Sequence, residues 1–219
     1  MKYGFLALTL VLANFFSPNL AVAADWEKIP AKEFSLLPPP DAAASALEIE
    51  ELLKLQAVRT SEECDLGEKQ SGTDFSILFA DTLLLSKKDL VALSPLINRI
   101  KNVGENVSHA FKDLYKRTRP YKFDSRVQPC VHLPGGPNSY PSSHALLATL
   151  DACVLTLIFP TAALEFKLLA TELSERRMKI GVHFPSDIRA GENLGLEICA
   201  KLVQDQDFKN DVDAARRAL

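Results

Sequence analysis

Several features are scarce in this 219-residue chain. The four cysteines, Cys64, Cys130, Cys153 and Cys199, include no C-x-x-C pair, which argues against a zinc cluster or a thioredoxin-type redox site. Positive charge is not in excess: 25 Lys and Arg face 28 Asp and Glu, a formal net charge of −3, so nucleic acid is not expected as a partner. No segment alternates apolar and polar residues with turn signals at its ends, so strands are not expected. No internal repeat or low-complexity tract occurs. The apolar run Ala148 to Leu164 is interrupted by Asp151 and cut by Pro160. It reads as a buried central helix rather than a stable membrane span.

What is present is a 47% hydrophobic chain of mean hydropathy +0.02, enough apolar mass for one well-developed core. The N-terminus stands apart. Lys2, the apolar run Gly4 to Phe16, Ser17-Pro18 and Ala21-Val22-Ala23-Ala24 follow the order of a secretory signal cleaved after Ala23 or Ala24. The expected organisation is therefore a signal peptide (1–23), an extended N-terminal segment (24–41) rich in proline, and one α-helical domain (42–219). The mature protein is expected in the periplasm or outside the cell, where disulfides are permitted. The pairing is not legible, and Cys153 and Cys199 fit a disulfide or buried free thiols equally well.

Periodicity predicts an all-α fold. Asp41 caps a helix reaching about Thr60, residues 61–73 read as a polar loop, and a second helix fits Asp74–Ser86. Ser94-Pro95 starts a third that reaches about Arg117. Residues 120–141, with five prolines and two glycines, form a long irregular stretch of the kind that carries function. Helices follow from Ser142 to about Phe159, Pro160 to about Ile180, and Pro185 to about Asp205.

Three short stretches hold side chains suited to a phosphate. Lys112, Lys116, Arg117, Arg119, Lys122 and Arg126 make a local basic window in an acidic chain, and Lys112 and Arg119 share a face about 10 Å apart if the helix persists. Pro141-Ser142-Ser143-His144 opens an apolar helix, whose free N–H groups favour an anion, with His144 beside it. In the third stretch His183 precedes Asp187 by four residues across a proline turn. There a carboxylate can hold one ring nitrogen and leave the other as base or nucleophile, and Arg177 adds a fork of donors. Taken singly each stretch has an ordinary explanation: a solvated helix end, a capped helix, a dipole-favoured acid.

Together, in order and spacing, the stretches match the pattern K-x6-RP, PSGH and SR-x5-H-x3-D. Here these are Lys112 with Arg119-Pro120, Pro141-Ser142-Ser143-His144, and Arg177, His183 and Asp187. In this the sequence resembles the type 2 phosphatidic acid phosphatase (PAP2) superfamily, which includes bacterial class A acid phosphatases and vanadium haloperoxidases. Two positions depart from the pattern: Ser143 stands for glycine, and Arg176 for the serine before the arginine.

The resemblance implies a compact helical bundle and a secreted phosphomonoesterase working through a phosphohistidine. His183 would be the nucleophile, Asp187 its orienting carboxylate and His144 the general acid and base. Lys112, Arg119, Arg177, the Ser142 hydroxyl and amides near Ser143 would bind the phosphoryl oxygens. No cofactor or metal is implied, and vanadate is expected as an inhibitor. The partner is a small-molecule phosphomonoester, and a homo-oligomer stays open. Tyr115, Tyr121, Tyr140 and Phe184 are expected near the pocket walls. A haloperoxidase, a lipid-phosphate phosphatase and a secreted anion-binding protein with a degenerate site are the competing readings.

Overall fold

The computed structural model describes residues 25–72, 78–79, 85–133 and 136–219. The signal sequence expected at residues 1–23 lies outside them, as does most of the helix expected over Asp74–Ser86. Among the described residues there is no β-strand, only an isolated bridge between Thr118 and Asn138. Among the described residues eight α-helices are named in chain order: α1 (Ala42–Val58), α2 (Ser61–Gly72), α3 (Lys87–Tyr115), α4 (Pro120–Phe123), α5 (Ser143–Ile158), α6 (Ala163–Lys179), α7 (Pro185–Leu202) and α8 (Gln206–Arg217).

The capping side chains explain most boundaries. Asp41 accepts from the Ala44 amide at 2.9 Å and starts α1. Helix α2 stands where a polar loop was expected. Its start is a reciprocal cap, with the Glu63 amide on Thr60 Oγ1 at 3.2 Å and the Thr60 amide on Glu63 Oε2 at 3.0 Å. Helix α3 begins eight residues before the expected Pro95, at the capping box of Ser86 and Asp89, and Pro95 lies inside it. The box satisfies two amides at the helix start, and the turns around Pro95 carry the buried Leu93, Leu96 and Ile97, whose packing offsets the hydrogen bond the proline forgoes. Asp205, where α7 was expected to end, instead caps a separate helix, α8, whose Phe208, Val212 and Ala215 are buried.

Helix α5 is apolar on every face and forms the centre of the bundle, as its composition predicts. Leu146, Leu150 and Val154 are fully buried among Ile100, Val103 and Val107 of α3 and Leu194, Ile198 and Leu202 of α7. Gly191 and Gly195 let α7 lie directly against α5: a Cβ on Gly195 would sit 2.6 Å from the Leu146 carbonyl oxygen, and one on Gly191 would run into that of Ser142. Disulfides join Cys64 to Cys130, fastening α2 to the loop after α4, and Cys153 to Cys199, fastening α5 to α7. The second resolves the choice left open for that pair.

The segment before α1 departs from the extended surface path expected of it. It makes two 3₁₀ turns, Asp25–Lys28 and Ala31–Glu33. Trp26 is 1% exposed, edge-on to Phe208 with ring centroids 5.4 Å apart. Its indole donates to Asp211 at 3.0 Å and lies under the Arg99 guanidinium.

Candidate active site

The turn from α6 into α7 sets the first imidazole. Gly181 takes a φ of 80°, a left-handed conformation that favours glycine, and ends α6 sharply. Pro185 then opens α7, and Asp187 in its first turn accepts the Phe184 amide at 2.9 Å. The same carboxylate oxygen lies 3.2 Å from His183 Nδ1. Asp187 is fully buried, and its other oxygen accepts from Arg117 at 2.7 Å. Burial raises the Asp187 carboxyl above its ordinary range, while Arg117 and the Phe184 amide act against that. Arg117 also donates to Ser186, Ser45 and Glu48 and lies 3.9 Å over the Phe184 ring, so no charge here is buried without a partner.

A proton on Nδ1 facing Asp187 leaves the lone pair on His183 Nε2. That nitrogen lies 3.2 Å from an Arg119 nitrogen, whose N–H can be accepted only by an unprotonated ring atom. Two independent contacts thus favour one tautomer.

Arg119 is not on the helix that carries Lys112. Helix α3 ends at Tyr115, Lys116 turns back with φ 46°, and Arg119, held extended before Pro120, caps α4. The shared helical face expected of the pair is replaced by this turn, which brings Arg119 back to the site. Its Nε donates to the Gly136 carbonyl at 2.9 Å and a terminal nitrogen to that of Val182 at 3.0 Å. Lys112 Nζ donates to the carbonyls of Asn138, Ser139 and Pro141 at 3.3, 3.3 and 2.6 Å. Ser142, after a cis Tyr140–Pro141 peptide, caps α5, and its own amide donates to the Asp187 carbonyl at 2.9 Å, joining the starts of α5 and α7.

These segments enclose a cavity of about 380 Å³ lined by Lys112, Arg119, Ser143, His144 and His183 of the expected site, together with His109, Asp113, Gly136, Pro137 and Asn138. Asp187, Ser142 and Arg177 stand behind this lining. The Ser142 hydroxyl accepts from the Ala145 amide at 3.3 Å as a cap. Arg177, 2% exposed, donates to Ser71 Oγ at 2.9 Å and the Gly67 carbonyl at 3.4 Å, while its Nε has no hydrogen-bond partner among the described residues. Its support comes from α2, not from position 176, where Arg176 pairs with Glu172.

The expected aromatic walls are elsewhere. The Tyr115 and Tyr140 hydroxyls donate to the carbonyls of Leu36 and Leu37, Phe184 is fully buried beneath Arg117, and Tyr121 packs with it against Val127. His109 and Asp113, passed over in the sequence, line the rim because α3 runs past it. Arg117, Glu48 and Ser71 were also missed. Arg117 lies in the basic window, but nothing local distinguishes it from its neighbours. The signal for α2, and so for Ser71, was the Thr60-x-x-Glu63 cap.

Burial and crowding of like charge set the electrostatics. Burial and the neighbouring Arg119 push Lys112 down to about 7, and the same causes bring Arg177 to about 10. Burial, then the surrounding cations, hold His144 and His183 well below the usual histidine value. The result is two neutral rings in a positive pocket suited to an anion.

The family model for the PAP2 superfamily matches residues 91–210, more than half of the chain and the whole span from Lys112 to Asp187. The chain belongs to the PAP2 superfamily. Its relatives include a non-specific acid phosphatase of Providencia stuartii, 24% identical over 83% of this chain and 78% of that protein. Another, from Salmonella typhi, is 27% identical over 100% of this chain and 92% of that protein. The PAP2 bundle also resembles the crystal structure of a bacterial vanadium-dependent iodoperoxidase, with a TM-score of 0.64 at 20% identity, over 82% of this chain and 55% of that one. Among the described residues of this PAP2 chain no helix is long and apolar enough to cross a membrane, and no cluster of His, Cys, Asp or Glu is arranged to hold a metal ion.

Proposed function

We propose that this PAP2 protein is an exported acid phosphatase that hydrolyses small phosphomonoesters through a phosphohistidine on His183. One observation carries the reading: the imidazoles of His144 and His183 face one cavity with Lys112 and Arg119, and His183 has its Nδ1 on a buried carboxylate and its Nε2 turned to that arginine. The relatives named as acid phosphatases support the same chemistry. Two disulfides, and the leader expected at residues 1–23, suit an oxidising compartment.

In this reading the phosphoryl group enters between Lys112, Arg119 and the free amides at the start of α5, with Arg177 behind them adding positive charge. The anion displaces the Arg119 contact from His183 Nε2, which attacks phosphorus as the bond to the leaving oxygen breaks. His144 gives that oxygen a proton. Burial and the cations around it keep the free ring neutral; the bound anion offsets those cations, so the ring takes up that proton from solvent as substrate binds, before the leaving bond breaks. It then takes a proton from the water that releases phosphate. Asp187 holds the ring and balances its charge in the intermediate. Three side-chain cations and a helix N-terminus supply the charge stabilisation that phosphoryl transfer needs, so this mechanism calls on no metal.

The H183A variant should lose p-nitrophenyl phosphate hydrolysis by at least about a thousandfold, whereas H144A keeps phosphoenzyme formation best with good leaving groups. Parent-like turnover by H183A excludes His183 as the nucleophile. The cavity's donors fit vanadate, a mimic of the five-coordinate transition state, which should inhibit competitively, and chelators should leave the rate unchanged. Peroxide-dependent bromide oxidation by the vanadate-loaded protein, with no phosphatase turnover, overturns the reading.

A further inference from the structure

Ser143 stands where the superfamily pattern has glycine, and its hydroxyl has a built partner. It is the first residue of α5 and lines the cavity. Its Oγ lies 2.7 Å from Ser108 Oγ. Ser108 is fully buried on α3, one turn before Lys112, and so on the same helix face. Either hydroxyl can donate in this contact; the fully buried Ser108 must place its proton, and Ser143 Oγ is the side-chain oxygen within its reach. With Ser108 as donor, the Ser143 proton is left to point elsewhere, and the space beside it is the cavity.

We propose that the Ser143 hydroxyl is an additional donor to the bound phosphoryl group, and that Ser108 is a positioning residue that orients it. The inference rests on the phosphatase reading and adds a ligand to the same site. A glycine there lets phosphate approach the main chain more closely; the serine places a side-chain donor in that space instead. A hydroxyl donating to an anionic oxygen makes a charge-assisted bond, stronger than a neutral one. Its contribution is to binding of the phosphoryl oxygens and is independent of the leaving group.

The test uses the full mature chain as parent, S143A, S143T, S108A and the S108A/S143A double variant. The inhibition constants of inorganic phosphate and of vanadate are measured alongside thermal midpoints. S143A should weaken both anions about tenfold and S108A about threefold, with the double variant no worse than S143A alone. S143T, which keeps the hydroxyl, should bind like the parent. Unchanged or tighter binding by S143A overturns the proposal. An S108A loss that persists undiminished in the S143A background also overturns it, since Ser108 would then act only on packing. A parent that binds neither anion overturns the phosphatase reading and this inference together, whereas equal binding by parent and S143A overturns this inference alone.

Discussion

In the proposed reading Lys112 sets the upper edge of the pH range in which the site holds a phosphate dianion. Burial and Arg119 bring it to about 7, so it is cationic below that value and loses its charge as pH rises through it. His183, the proposed nucleophile, limits the other side, because its depressed basicity keeps the ring neutral well into the acid range. The kcat/KM profile, which reports the free enzyme, should therefore hold up in mild acid and fall above about pH 7. K112R, which cannot lose its charge in that range, should move the falling limb upward even if its maximum is lower. A limb that stays in place assigns the ionisation to another group. Lys112, His144 and His183 were legible in the sequence because their spacing lies within short segments. Arg117 was not, because Glu48, Ser45 and Asp187 reach it from distant parts of the chain and nothing nearby marks it as their partner.

The N-terminus of α5 is placed by α7 as much as by its own cap. The Ser142 amide donates to the Asp187 carbonyl, and Gly191 leaves room for the backbone that carries Ser142 and His144. In G191A the new Cβ meets the Ser142 carbonyl and comes within 3.1 Å of Ala145 Cβ and the Leu146 amide. The substitution should cost about 1–3 kcal/mol of stability by overpacking. It should also lower kcat/KM, since the strain falls on the segment that aims His144. Denaturant melts beside kinetics check this, and a stability loss with parent-like kcat/KM separates the packing from the site. Helices α5, α6 and α7 could be read from apolar periodicity and proline starts. Helix α2 could not be read from composition, because few of its residues are apolar; a reciprocal cap, a disulfide and an ion pair from Lys179 to Glu63 hold it in place. The start of α3 was misread because proline in a first turn is a strong signal, and the capping box upstream was the stronger one.

At the scale of the molecule the two disulfides divide their effects. Cys64–Cys130 closes a loop across 66 positions and fastens the helix whose Gly67 and Ser71 receive Arg177; Cys153–Cys199 spans 46 positions within the helical core. Each should contribute about 2–4 kcal/mol by restricting the unfolded chain. The C64S/C130S protein should lose more kcat/KM than C153S/C199S at matched stability, because only the first frees the support of Arg177. Equal losses would indicate a role in stability alone.

The anchoring of Trp26 decides where a working polypeptide can start. The indole fills a gap beside Phe208 and the α3 residues near Arg99, about 20 Å along the helix axis from Lys112. A version trimmed to the first helix would leave an aromatic-sized hole at the far end of the bundle and would also take Leu36 and Leu37, whose carbonyls hold the hydroxyls of Tyr115 and of Tyr140, the residue before Pro141. An affinity handle appended ahead of Asp25 would emerge at that same distant end, clear of incoming substrate.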